Sequence, residues 1–445
     1  MPRPAAIHFG RSPVPAAGRP PEGRFAQVLG DEFYVIDDAQ GMRPFLMSVV
    51  SDSDHWLFVE SNGGLTAGRK NPGIALFPYV TEDKLVDAAG LTGPVTSLVV
   101  TRGGRRSLWH PFRDPDLLAY RVTRRLYKNV LGSRLVFEET NRDLGITFRY
   151  EWTTSDAFGF VRECAIENGG RTPVEVHLLD GLLNVLPANV DEHLQAGFSC
   201  LLDAYKRSER VPGTSLALYS LQAQPVDRAE PSESLKATTV WSHGLGNAAL
   251  HLSASRLSSF DAGRPERAEA EVRGRRGAYL VEARFELAPG AARPWTLVAD
   301  VDRTQRQVVE LRSRLRRPAR LLGEVREDVA TGRENLLKIV AATDGLQLTA
   351  DRLSSAHHLG NVLFNDLRGG VFLHGYDVPG PDFAAFVRRS NLRTWERHRE
   401  FLDGLPAFIA GPALLALAAD LGDPDLERHA HEYLPLTFSR RHGDP

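Results

Sequence analysis

Residues 125–168 read RLYKNVLGSRLVFEETNRDLGITFRYEWTTSDAFGFVRECAIEN. Within them, RLVFEET and ITFRYEWTTS are short apolar or alternating runs, rich in Val, Ile, Phe, Tyr, Trp and Thr and separated by Asn, Asp and Gly. Successive side chains of a strand point to opposite faces, so such runs read as strands joined by turns. The same pattern extends from about residue 25 to 303, through FYVIDD, FLMSVVS, WLFVES, TSLVVT, VEVHLLDGLLNVL, LALYSLQA, ATTVWSHG, YLVEARFEL and WTLVADVD. Helical spacing is largely absent there. So many short strands predict a large antiparallel sandwich rather than a small barrel.

The composition then changes. Val308, Leu311 and Leu315 follow i, i+3, i+7, and Leu322, Val325 and Val329 do so after Pro318, which predicts two amphipathic helices broken at the proline. NVLFNDLRGGVFLHGYDVPG reads as an ordered loop or small hairpin. Asp382 is placed to cap a helix carrying Phe383, Phe386, Val387, Trp395 and Phe401. Asp423 and Pro424 form an N-cap and first-turn pair opening DPDLERHAHEYL. The expected organisation is a disordered Pro/Arg-rich leader (1–24), a β-sandwich domain (25–303), linker helices (304–342) and a mainly helical segment (343–445).

A chain of 445 residues is too long for one ordinary core. Its 54 basic and 56 acidic residues leave a net charge of -2, so there is no electrostatic footprint for nucleic acid or an anionic membrane. Neutral molecules and small anions are the expected partners. Cys164 and Cys200 alone make no disulfide framework, and no apolar run has the length of a signal peptide or membrane helix. A cytoplasmic location is the expectation.

The densest motif runs from Asp52 to Lys84. Turns at Ser61–Gly64 and Gly68–Pro72 are expected to bring Asn62, Arg69, Lys70 and Asn71 to one rim of the sandwich. Amide and cationic groups there suit sugar hydroxyls or phosphate, and the competing reading is plain hairpin chemistry on solvated tips. Arg121, Arg124, Arg125 and Lys128, interleaved with Tyr120 and Tyr127, read as an exposed strand face or a cation-aromatic ladder. His357, His358 and His374 have no cysteine near them and are spaced unlike a structural zinc site, so no metal is expected. The acidic pairs Glu138–Glu139 and Asp191–Glu192 lack an acid-base context, and no nucleophile elbow is present, so no catalytic residue is assigned.

The stretch SDSDHWLFVESNGGLTAGRKNPGIALFPYVTEDK, the segment quoted first, LFNDLRGGVF and the terminal EYLPLTFSRRHGDP together resemble the N-terminal portion of bacterial cellobiose phosphorylase-like proteins, over nearly all of the chain from about Phe33. These are related to the inverting glycoside phosphorylases. The resemblance implies a galactose-mutarotase-like β-supersandwich followed by an α-helical linker, with the (α/α)6 barrel absent after Pro445. It implies an oligosaccharide and inorganic phosphate as substrates, no other cofactor, a homodimer formed through the sandwich, and a separate barrel polypeptide carrying the general acid. By motif it adds Arg440, Arg441, His442 and Asp444 to Asn62, Arg69, Lys70 and Asn71 as residues lining a sugar or phosphate pocket. The missing barrel is expected to leave Phe383, Phe386, Trp395 and Phe401 on an uncovered apolar face. A non-catalytic carbohydrate-binding or scaffolding module is the alternative.

Overall fold

The computed structural model describes residues 8–9, 12–13, 20–28, 30–114, 119–225, 234–342, 345–347, 349–367, 370–372, 377–433 and 436–438. The chain divides into two compact units, Met1–Gly332 and Arg333–Pro445.

The first unit is built of strands. In chain order they begin with β1 (His8–Phe9), β2 (Ser12–Pro13), β3 (Glu22–Val28), β4 (Asp31–Asp37), β5 (Leu46–Ser48), β6 (His55–Glu60), β7 (Leu65–Arg69) and β8 (Ala75–Phe77). Next come β9 (Gly93–Arg102), β10 (Arg105–Trp109), β11 (Val122–Asn129), β12 (Leu135–Asn141), β13 (Ile146–Ser155), β14 (Gly159–Asn168) and β15 (Val174–Val185). The series ends with β16 (Lys206–Arg210), β17 (Ala217–Leu221), β18 (Lys236–His243), β19 (Ala249–His251), β20 (Glu271–Arg273), β21 (Gly277–Leu287) and β22 (Ala292–Thr304).

Eleven of these strands form one sheet in the order β20-β16-β17-β18-β22-β14-β13-β12-β11-β4-β3. A five-stranded sheet, β10-β9-β15-β21-β19, and a four-stranded meander, β5-β6-β7-β8, complete the sandwich, and every pairing is antiparallel. One apolar core joins all three sheets: Phe137, Phe148, Tyr150, Trp152 and Trp295 come from the large sheet, Val176, Leu178 and Val281 from the five-stranded one, and Leu57, Leu65 and Phe77 from the meander. The strand runs named in the sequence all fall on strands. β3, however, already begins at Glu22, inside the stretch expected to be a leader.

Helices within the strand block were not expected: among the described residues a short one spans Glu82–Leu85, and two longer ones follow. Asp191 caps the helix Glu192–Tyr205 by accepting from Leu194 N at 2.7 Å. The helix Ser255–Asp261 lays Phe260 on the outer face of the five-stranded sheet, against Val99, Leu179 and Leu280. Asp180 and Gly181 would signal a hairpin turn in isolation. Instead they lie mid-strand in β15, where a Cβ on Gly181 would stand 1.8 Å from Tyr279 O across the pairing with β21. Glycine is there for backbone approach.

The linker helices are Gln305–Arg314 and Pro318–Ala342, with the break and the proline where the spacing put them. Thr304 and Gln307 close a capping box on the first. Leu315, Leu321, Leu322 and Val325 cover the outer face of the large sheet, against Phe158, Val161, Trp241 and Val298.

In the second unit, NVLFNDL belongs to the helix Arg352–Leu367, not to a loop, because Leu359, Val362 and Leu363 bury one helical face. β23 (Gly370–Phe372) pairs with a strand at Leu436–Phe438, and β24 (Asp377–Val378) with β25 (Ile409–Ala410). The single helix expected after Asp382 is three: Gly380–Ser390, Leu392–Arg397 and Arg399–Asp403. Asn391 ends the first and caps the second, accepting from Thr394 N, while Pro379 holds the cap position assigned to Asp382. Asp382 instead accepts from Tyr433 Oη at 2.5 Å. Asp423 caps Pro424–Glu432 as expected. Phe383 is fully buried and Phe386, Trp395 and Phe401 pack around it, with Val387, Leu402, Leu414 and Leu426 completing a local core. The four aromatics therefore belong to the unit's own core, Phe383 within it and the other three half-buried against it, rather than forming a wholly uncovered face.

Across the sandwich, Arg162 of β14 meets Asp180 of β15: Nη1 donates to Oδ1 at 3.0 Å and to Oδ2 at 2.9 Å, with both side chains fully buried. Thr96 Oγ1 and Trp295 Nε1 also donate to Asp180, at 2.6 and 2.7 Å. Removing one partner strands a buried charge, so Asp180→Ala is expected to cost about 3–5 kcal/mol in urea unfolding. The double variant Arg162→Met/Asp180→Leu should cost clearly less. Equal losses would mean that the pair is not what holds the two sheets at this point.

Candidate functional site

The structure separates the residues expected on one rim. Consecutive hairpins lie at opposite ends of the strand they share, so the Ser61–Gly64 turn is at the start of β7 and the Arg69–Asn71 turn at its far end. Asn62 ties its hairpin to the following segment, donating Nδ2 to Val86 O at 2.9 Å and accepting from Gly64 N at 3.0 Å. Lys70, exposed in the left-handed region at φ 59°, and Asn71, whose Oδ1 accepts from Gly73 N, are turn residues. Arg440, Arg441, His442 and Asp444 lie outside the described residues, as does His374.

Arg69 is committed elsewhere. Its Nε donates to Asp54 at 2.7 Å, Nη1 to both oxygens of Asp300 at 3.3 Å, and Nη2 to the backbone and side chain of Asp156 at 3.0 and 3.2 Å. This clamp joins the meander to the β13–β14 turn and to β22. Beside it His55, paired in register with Arg69, lies edge-on to Phe160 with Ser53 Oγ 2.8 Å from Nδ1. Burial first, and the Arg69 charge second, push its pKa down to about 3.

The arginines of β11, and Arg121 just before it, are likewise consumed by neighbours. Arg125 pairs with Asp37 and Glu138, Arg121 with Asp143, and Arg124 with Glu139 and Asp114. His358 is buried with Nδ1 2.5 Å from His431 O, and His357 faces Glu432. No group of three or more His, Cys, Asp or Glu residues able to hold a metal occurs among the described residues.

One end of the sandwich holds a cavity of about 420 Å³, within the range of small-molecule pockets. Tyr150 and Arg162 of the large sheet and Thr96 of β9 line it from within, and Asn62, Phe112 and Asp114 come from the surrounding loops. The Arg162 guanidinium stacks on Tyr150, 4.7 Å from the ring centre. Only its Nη1 is engaged by Asp180; Nε and Nη2 are buried without a hydrogen-bond partner. Behind Asp114, Arg124 Nε donates to Glu139 at 2.7 Å, and Trp109 Nε1 and Phe112 N hold the same carboxylate. Burial outweighs these contacts and raises the Glu139 pKa. Burial likewise raises the Tyr150 hydroxyl, which stays a neutral donor. Of the residues named from sequence, only Asn62 borders this cavity. Arg162 was passed over, although a charge at an inward position of an alternating strand was the available signal.

Residues 372–435 match the family model for glycoside hydrolase family 149 insertion domain 1. That match ties the helical unit to carbohydrate-active enzymes. No curated protein matches the chain. Among solved structures, a bacterial glucoamylase complexed with acarbose is similar over 70% of this chain and 39% of its own, at 10% identity and TM-score 0.43. A protein described as a kojibiose phosphorylase, from the human microbiome, is similar over 64% of this chain and 29% of its own, at 7% identity and TM-score 0.28. One described as an aldose 1-epimerase, from Escherichia coli K12, is covered over 99% of its length and 58% of this chain, at 11% identity and TM-score 0.32. The chain thus spans well under two thirds of the glucoamylase's length.

Two outcomes follow from the Arg69 and His55 geometry. Arg69→Met leaves Asp300, 3% exposed, with Arg303 as its remaining cation beside the Val301 N–H, and should cost about 3 kcal/mol in urea unfolding, the lower end for a broken buried pair. No change in midpoint would leave Arg69 without a structural task. The folded pKa of His55 lies below the unfolded value of 6.5, so the unfolded state binds the extra proton, and stability present above pH 6.5 is lost as pH falls toward 3. His55→Phe should flatten the stability profile across that window; an unaltered slope there would assign the loss to other groups.

Proposed function

We propose that this chain is the sandwich and linker part of a cytoplasmic carbohydrate-active enzyme of the inverting glycoside phosphorylase kind, acting on a β-glucoside such as cellobiose or a related oligosaccharide. The observation that supports this reading is the family 149 insertion-domain match at residues 372–435. In phosphorolysis, phosphate attacks the anomeric carbon while a carboxylic acid protonates the departing sugar oxygen, through an oxocarbenium-like state. Phosphate arrives as an anion, so one general acid and a clamp of cationic and hydrogen-bonding groups suffice. In this reading that acid is an aspartate of a barrel outside the present residues, and the sandwich supplies loops beside the site and a dimer contact.

The second reading is a carbohydrate-binding module without catalysis, favoured by the cavity under Tyr150 and Arg162. The test is to mix the full chain with a separately expressed (α/α)6 barrel, cellobiose and inorganic phosphate. Formation of a sugar 1-phosphate, absent with either component alone, is the expected result. Inactivity with an intact 1:1 complex would favour the binding module.

A further inference from the structure

We infer that the bend between the two linker helices is a binding site for a small molecule carrying a diphosphate group, held by Arg316, Arg317 and Arg320. The inference is independent of the reading of the chain as part of a phosphorylase, and it involves neither the sandwich cavity nor a catalytic step.

The sequence RSRLRRPAR at 312–320 places five arginines in nine residues. Pro318 has no N–H with which to continue the first helix, and the chain turns ahead of it: Arg316 N donates to Ser313 O at 3.3 Å and Arg317 N to Arg314 O at 3.0 Å. Leu315 and Leu321, on either side of this turn, are buried with Trp241 and Val298 against the large sheet. The apolar anchors fix the backbone, so the arginines between them are carried on a firm turn rather than on a free tail. The turn walls a cavity of about 440 Å³, lined by Ser313, Arg314, Arg316, Arg317, Arg320 and Glu324 around Leu321.

Charge at this cavity is unbalanced. Glu324 is the acidic residue of its wall, and it accepts from Arg314 Nη2 and, at 3.1 Å, from Arg320 Nε. Arg314 is held further by Phe158, whose ring centre is 4.8 Å away. No carboxylate lies within ion-pair reach of Arg316 or Arg317 among the described residues, and both are exposed, so a ligand reaches them directly from solvent. Four arginines less one glutamate leave three positive charges on one small concave surface. Like charges held together repel, and a bound anion removes that repulsion.

The surplus selects the ligand. A carboxylate offers one charge and two oxygens in a plane, enough for one guanidinium fork. A phosphate group carries about −1.5 to −2 and spreads its oxygens around a tetrahedral centre, so two guanidiniums bond it at once. One such group leaves part of the surplus uncovered, whereas two linked phosphates match it, and the volume is that of a small-molecule site. A long polyanion needs basic groups spread along a surface; here they converge on one turn, and Glu310 and Glu327 close the run in sequence.

Titration calorimetry of the full chain at fixed ionic strength, with inorganic pyrophosphate, orthophosphate and acetate, tests the site. Saturable binding of pyrophosphate to one site per chain is expected, with orthophosphate at least about tenfold weaker, the scale of one charge-assisted hydrogen bond, and acetate not binding. The double variant Arg316→Gln/Arg317→Gln should weaken pyrophosphate binding at least about tenfold while leaving the urea midpoint unchanged or raised, because two unpaired, exposed like charges are removed. Arg312→Gln, in the same run but outside the cavity lining, should keep the affinity within about twofold, since a charge there is screened by salt. No saturable pyrophosphate binding, or full affinity in the double variant, would overturn the inference. Equal losses in the Arg312→Gln protein would reduce the effect to diffuse attraction, and a lowered midpoint in the double variant would assign Arg316 and Arg317 to the fold; either result also overturns it. Displacement of pyrophosphate by a tighter-binding single-stranded DNA oligonucleotide would do the same, by making the surface one for nucleic acid. None of these outcomes bears on sugar 1-phosphate formation with an added barrel.

Discussion

The two faces of the sandwich meet in one ion pair. Arg162 rises from the eleven-stranded sheet and Asp180 from the five-stranded sheet, each fully buried among aromatic and aliphatic side chains. Two charges in such a place are tolerable only if every available bond is made, since the attraction barely repays desolvation. Asp180 meets that condition: Arg162, Thr96 and Trp295 donate to its two oxygens. Arg162 meets it on one nitrogen only. The register of the two sheets is thus tied at this contact, and the same arginine lines the cavity.

Around that centre the structure spends its other charges on joints between elements. Arg69 connects the meander to the β13–β14 turn and to Asp300 of β22. Glu139 anchors Trp109, Phe112 and Arg124 beside the cavity. On the outer face of the five-stranded sheet, Glu282 accepts from Arg256 and lies within 2.7 Å of His177 Nε2, contacts that outweigh its burial and hold its pKa low. A motif rich in Arg, Asp and His in this protein is most often a strut, which explains why charged sequence clusters pointed away from the cavity.

The helical unit shows a different economy. Its short helices bury Phe383, Val387, Leu414 and Leu426 against one another, and Tyr433 reaches back to Asp382. A core of this kind closes within a few tens of residues, in keeping with the match of residues 372–435 to an insertion domain. The same aromatics, read along the chain, looked like one long helix awaiting a partner. Asn391 changes that reading, because an Asx cap ends one helix and starts the next at a right of way no periodicity count detects.

Strand and linker-helix patterns were legible because they are local. Alternation in ITFRYEWTTS follows from the pleat, and the break at Pro318 follows from a missing N–H; neither depends on distant residues. The cap at Asp423 is local in the same sense. What only the folded chain decided was partnership across long separations: that Asp180 faces Arg162 and Trp295, that Arg69 is consumed by Asp54, Asp156 and Asp300, and that the two turns flanking β7 stand at opposite ends. Free donors arise only as the remainder after such pairings are made, so a sequence shows which residues are charged, and the packed sheets decide which of them still has a bond to offer.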